Sequence, residues 1–200
     1  MTFTRSERDK LGDDCEKEAL NIALDYGWSA QSTGQIGGGV PYFYEPKIDG
    51  AQKTANLDLI ISKKRWATVG LEVKFCTTYT SRHDGQPCYL LDVKRVDWLR
   101  RWSQTWENPA LFVFKTRSPM VPDSAAFIAC SVEKIDGNHS YYEPEMWKEA
   151  QSGKRYFSDA NFSYSPDLFE PFETYLSDEI EIKTHPTFYK INEKNEQVLL

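Results

Sequence analysis

The chain has 200 residues, 40% of them hydrophobic and 14% aromatic, which is enough apolar material for a packed core and excludes a disordered chain. No apolar run approaches the roughly 20 residues that cross a bilayer, Met1 to Lys10 lacks the apolar stretch of a secretion signal, and Cys15, Cys76, Cys88 and Cys130 are scattered without zinc-ligand spacing. A cytoplasmic protein with reduced thiols and no membrane contact is expected. The net charge of −6 is unevenly placed: residues 140–200 carry six basic and twelve acidic side chains, leaving eighteen of each sign before them. A nucleic-acid-binding surface in the first two thirds is therefore compatible with the overall acidity.

In chain order, residues about 6–26 read as a helix, because Leu11, Cys15, Ala19, Ile22, Ala23 and Tyr26 recur at three- and four-residue steps and Gly27 follows as a stop. Ser32 to Gly50 is turn-rich; with no Gly-Lys-Ser/Thr after Gly34 and Gly37 to Gly39, it reads as a mobile loop, not a phosphate cradle. Leu57 to Ile61 and Trp66 to Phe75 read as two strands of a hairpin, joined by a turn whose Lys63, Lys64 and Arg65 serve solubility first and phosphate contact second. A polar loop follows at Thr77 to Pro87. Asp92 to Trp106 reads as a helix that Asp92 caps, with Val93, Val96, Leu99 and Trp102 or Ser103 on one face. Trp98, Trp102 and Trp106, four residues apart, suit core or interface packing better than base stacking. Ala110 to Lys115 and Ala125 to Val132 are further strands. Helix, two strands, helix and two strands make an α/β fold around a mixed sheet. From about Ser140 the chain turns acidic and aromatic and is interrupted by Pro144, Pro166, Pro171 and Pro186. Residues 1–135 are thus expected to form the core, and 136–200 an irregular extension packed on it or at an interface.

Chemistry concentrates on the hairpin. Residues i and i+2 of a strand share a face, so Val69, Leu71, Val73 and Phe75 lie on one side and Gly70, Glu72 and Lys74 on the other. On the first strand, Leu57, Leu59 and Ile61 share a face, with Asp58 and Ile60 opposite. Pairing of the two strands sets Asp58 beside Glu72, with Lys74 close by. Neighbouring carboxylates repel, and a divalent cation relieves that repulsion. Mg²⁺ suits such a site, since it takes one or two carboxylates and completes its shell with water and phosphate oxygens. A lysine there would stabilise negative charge or orient an attacking water. The bland alternative is a solvated strand face.

Asp58, thirteen intervening residues and then Glu72-Val73-Lys74, in an apolar strand–turn–strand frame, resembles the D-x(n)-(D/E)-x-K signature of PD-(D/E)XK nucleases. Leu57 stands where the proline that names the motif would be. The preceding Glu16-Lys17-Glu18 with Gly27-Trp28 is similar to the helix of archaeal Holliday-junction resolvases, and Val93 to Leu99 followed by Pro109 to Phe114 resembles the helix and strand that close that core. The resemblance spans roughly residues 10–132. It implies a restriction-endonuclease-like sandwich, with an irregular C-terminal extension that has no counterpart. It also implies a Mg²⁺- or Mn²⁺-dependent endonuclease acting on DNA. Asp58 and Glu72 would be metal ligands, with the Val73 carbonyl and Glu16 (Glu18 as fallback) completing the shell. Lys74 would position the water, and Lys94 would contact substrate. An RNA substrate, a homodimer, a partner protein bound through the extension, and a non-catalytic binding module on the same scaffold all stay open.

Overall fold

A computed structural model describes residues 5–33, 43–45, 52–54, 57–63, 68–76, 79–81, 83–116, 127–149, 155–177, 180–182, 188–191 and 197–199. Its elements are α1 (Arg5–Asp25), β1 (Ser29–Ser32), β2 (Phe43–Glu45), β3 (Gln52–Thr54), β4 (Leu59–Ser62), β5 (Thr68–Cys76), β6 (Tyr79–Thr80), β7 (Pro87–Asp92), α2 (Val93–Trp106), β8 (Ala110–Thr116), β9 (Phe127–Ser131) and α3 (Val132–Ile135), followed by β10 (Tyr141–Glu143), β11 (Met146–Glu149), β12 (Arg155–Ser158), β13 (Asn161–Tyr164), β14 (Glu170–Pro171), α4 (Phe172–Leu176), β15 (Ile180–Ile182), β16 (Phe188–Ile191) and β17 (Gln197–Leu199).

The central sheet is mixed, in the order β1-β4-β5-β8-β9-β14. β4 and β5 pair antiparallel, Leu59 opposite Leu71, as the alternation predicts. β5 and β8 pair parallel, Glu72 opposite Phe112. A parallel pair needs a long crossover, and β6, β7 and α2 supply it. Alternation along the central strands separates two cores. On one side Leu59, Ile61, Val69, Leu71, Val73, Leu111 and Val113 pack with Cys15, Ala19 and Ala23 of α1. On the other, Ala110, Phe112, Phe114 and Cys130 pack with Val96, Leu99 and Trp102 of α2. The sheet thus lies between a helix on each face, a mixed α/β arrangement.

Local chemistry fixes the helix ends. Gly27 adopts a φ of 78° after α1, with its N–H donating to Leu24 O at 2.9 Å and that of Trp28 to Ala23 O at 3.0 Å. This double closure suits glycine, which bears no Cβ penalty in the left-handed region. Asp92 caps α2 by accepting from Lys94 N at 2.8 Å. Gly70 answers to space instead: a Cβ there would come within 2.6 Å of Leu57 Cδ1 and 2.7 Å of Trp102 Cζ3.

Three features differ from the sequence expectation. First, Leu57 joins the α2 side of the sheet, whereas Leu59 and Ile61 face α1. β4 begins only at Leu59, so strand alternation does not reach Leu57. Second, β6 and β7 occupy part of the stretch read as loop and the gap after it. Third, the described residues of the tail are largely regular strands and helix, not an irregular extension. β13 inserts into a second sheet, β10-β13-β7-β6, and β14 pairs with β9 at the edge of the central sheet. Among the described residues no helix is long and apolar enough to cross a membrane. Cys15, Cys88 and Cys130 are free and buried. Most of the glycine-rich stretch 32–50, and Lys64 and Arg65, lie outside the described residues.

Candidate active site at the end of the central hairpin

Asp58 sits in a bend just before β4, and its backbone groups and one of its carboxylate oxygens are hydrogen-bonded. Its N–H donates to Leu71 O at 3.1 Å, and its C=O accepts from Thr33 N at 3.0 Å. Its Oδ2 accepts from Val73 N at 2.7 Å. The side chain thereby takes the place of a backbone carbonyl in the ladder beside β5, which holds the carboxylate against Val73 and next to Glu72. Thr33 also binds Leu57 O through its hydroxyl, so the end of β1 clamps both residues.

Glu72 is buried, 5% exposed, on the α2 side of β5. Its Oε1 lies 3.6 Å from Lys74 Nζ and 3.5 Å from an Arg95 terminal nitrogen. Arg95 also lies over the Trp98 ring, 5.4 Å from its centroid. A buried carboxylate without cations beside it is costly, and these two reduce that cost.

Burial pushes the Asp58 carboxyl above the ordinary carboxylate range, and the negative charges of Glu72 and then Glu16 push it the same way; the Val73 N–H and Arg95 partly oppose them. Glu16 is also raised, by burial first and then by Asp13 and Glu72. Three carboxylates from α1, the Asp58 bend and β5 are therefore close enough to act on one another.

The structure brings Asp58, Glu72 and Lys74 together, with Glu16 within electrostatic reach of both acids. Glu18 turns away to pair with Lys115. Lys94 does likewise, with its Nζ 3.0 Å from Asp159 and 3.8 Å from Glu145. Its neighbour Arg95 is the helix cation at Glu72, and the sequence reading missed it. A signal was present: 95, 99 and 102 follow helical spacing, so a charged residue continues the buried Leu99–Trp102 stripe by one turn. Lys63 donates to Tyr26 O at 3.1 Å beyond the end of α1. Of the tryptophans, Trp102 is core and Trp106 is half exposed.

Whether these residues suit a divalent cation turns on their chemistry. All candidate donors are oxygens, the set that Mg²⁺ and Mn²⁺ accept, and two carboxylates with water and substrate suffice for Mg²⁺. Asp58 and Glu72 fit that requirement. Among the described residues no three His, Cys, Asp or Glu side chains form a complete metal-holding group, so Glu16 does not close a three-carboxylate cage.

No family model matches the sequence, and no curated protein matches it. Among solved structures, the chain is similar to Hjc, a Holliday junction resolvase of the archaeal hyperthermophile Archaeoglobus fulgidus, with a TM-score of 0.48 and 12% identity over 83% of this chain and 100% of that one.

Proposed function

We propose that the chain is a divalent-metal-dependent nuclease of the PD-(D/E)XK type, with a restriction-endonuclease-like core, that hydrolyses DNA phosphodiester bonds. The observation that carries this reading is the meeting of Asp58, Glu72, Lys74 and Arg95 beside β5: two mutually repelling acids, the Asp58 carboxyl pushed up by burial and by that repulsion, beside two cations. A solvated strand face would not bury Glu72 or press Asp58 against the Val73 amide.

Asp58 and Glu72 would hold Mg²⁺ or Mn²⁺, Asp58 through the oxygen that Val73 N–H leaves open, with the Val73 carbonyl as a further ligand and Glu16 reaching the cation through water. A cation there supplies Lewis acidity toward a phosphate oxygen and acidifies a water molecule. Lys74 Nζ, one third exposed, donates hydrogen bonds to the attacking water and to the charge that develops on phosphorus-bound oxygens. Arg95, paired with Glu72 at 3.5 Å, stands beside the candidate site, and its planar fork would suit a phosphate. The net charge of −6 does not oppose this role, because phosphate contact depends on local cations.

The ion pairs to Glu72 also favour a second reading. They balance the buried acid without any metal, as a scaffold that binds nucleic acid or protein without cutting would require. Incubation of the protein with supercoiled, linear, single-stranded and four-way-junction DNA, and with RNA, in Mg²⁺, Mn²⁺ or EDTA separates the two. Cleavage in either metal and none in EDTA is the expected result, and the preferred substrate names the subclass. Binding without cleavage in any metal would favour the scaffold.

A further inference from the structure

Lys94, which pairs with acids outside the candidate site, marks a second element. Glu145 and Asp159, its two partners, stand immediately before β11 and immediately after β12. Among the described residues those strands pair with each other alone, Met146 opposite Ser158 and Trp147 opposite Phe157. On the inner side of Pro144-Glu145 and Asp159-Ala160, β10 and β13 pair within the second sheet, Tyr142 opposite Phe162. The described residues 141–149 and 155–164 are therefore two antiparallel limbs whose outer part, β11 and β12, has left the second sheet. Its base is also fixed to the start of α2, where Val93 N donates to Ala160 O at 3.0 Å and Asn161 pairs with Asp92. The next residue after Lys94 is Arg95, at 3.5 Å from Glu72. An arm is thus anchored one residue away from the candidate site.

The composition of the arm departs from the tail around it. Residues 146–158 carry Lys148, Lys154 and Arg155 against the single Glu149, in a tail that is otherwise strongly acidic. Trp147 is 62% exposed, the most exposed large hydrophobic side chain among the described residues, and Met146 beside it is 36% exposed. Exposed apolar surface of this size marks a binding surface. An exposed aromatic ring in a segment whose sequence carries three cations against one acid matches the chemistry of a nucleic acid strand, whose phosphates attract cations and whose bases stack on an indole.

We propose that the β11–β12 hairpin is a nucleic-acid-gripping arm, with Trp147 as its stacking residue, that holds the DNA strand leading to the Asp58–Glu72 site; this rests on the nuclease reading for its ligand. Equilibrium binding of fluorescein-labelled single-stranded and four-way-junction DNA, followed by anisotropy in EDTA so that nothing is cut, tests it on the full chain. Trp147→Ala is expected to weaken Kd about tenfold on at least one of the two DNAs and Trp147→Phe to restore most of the loss, with the melting temperature of both variants unchanged. Equal Kd for wild type and Trp147→Ala on both DNAs would overturn the proposal and assign the arm to a protein partner instead. The two readings fail separately. Wild-type protein that binds through Trp147 but does not cut in Mg²⁺ or Mn²⁺ keeps the arm and sinks the nuclease. Metal-dependent cutting with an unchanged Kd in Trp147→Ala keeps the nuclease and sinks the arm. A wild-type chain that neither binds nor cuts DNA overturns both.

Discussion

Glu72→Gln abolishes metal-dependent cleavage, lowering the rate by at least about a hundredfold, while circular dichroism and thermal melting show a native fold. Glutamine has the shape of glutamate and keeps a carbonyl oxygen toward Lys74 and Arg95, so packing on the α2 face of β5 is maintained. What it loses is charge. The cation site is reduced to Asp58, and the two positive groups at 3.5 and 3.6 Å lose their counter-ion and repel an incoming metal. Asp58→Asn gives the same loss of activity with a larger structural cost, because the amide must be oriented to keep its oxygen on Val73 N. A Glu72→Gln variant that cuts at the wild-type rate removes Glu72 from the mechanism.

The second large effect concerns stability, and its pH dependence is opposite to that of an ordinary salt-bridged acid. Glu133 opens α3, and burial pushes its carboxyl up to about 7. Its Oε2 is buried without a hydrogen-bond partner. Ser103 Oγ lies 2.8 Å from Asn108 O and 3.0 Å from Glu133 Oε1. A hydroxyl has one proton to donate, so both contacts are satisfied when Glu133 is protonated and donates to Ser103. The native state therefore holds a proton that the unfolded chain gives up near pH 4.5. Stability from this group is complete below that value and is lost as pH rises through about 7. At pH 8 the native state carries a penalty of about 2 kcal/mol, after allowance for partial solvent access. Glu133→Gln keeps the contact to Ser103 and has no such proton. Urea unfolding at pH 5 and pH 8 is expected to show the variant gaining about 2 kcal/mol over wild type between the two. Parallel stabilities at both pH values would mean that Glu133 is charged and solvated in the native protein.

The parts of this architecture that the sequence shows are those where one periodicity governs a whole element. Val96, Leu99 and Trp102 give α2 away at helical spacing, and Asp92 marks its start. Val69, Leu71 and Val73 give β5 away at strand spacing, and the pairing with β4 follows. Legibility stops where a partner distant in the chain decides the structure. β1, Ser-Ala-Gln-Ser, has no apolar alternation and is a strand because β4 lies alongside it. Tyr89 and Leu91 are buried by β13, more than 70 residues later, so no local pattern around 87–92 reports the sheet they enter. The acids of the candidate site were readable because their strands were. Which helix cation joins them was not: Lys94 and Arg95 are adjacent, and only the buried stripe through Leu99 and Trp102 directs one to Glu72 and leaves the other for Asp159. Leu57 lies on the α2 face against the alternation of Leu59 and Ile61 for a related reason, since β4 starts two residues after it.

Calorimetric titration of the metal-free protein with Mn²⁺ near pH 7.5 shows whether Asp58 and Glu72 hold a cation, because it needs no substrate. Saturable binding is expected, and Asp58→Asn and Glu72→Gln each remove it. Release of a proton from Asp58 is expected with it, visible as a heat that changes with the ionisation enthalpy of the buffer, and so is an affinity that falls as pH is lowered and Asp58 becomes harder to ionise. No saturable binding, or binding that both variants retain, would contradict a metal centre at Asp58 and Glu72.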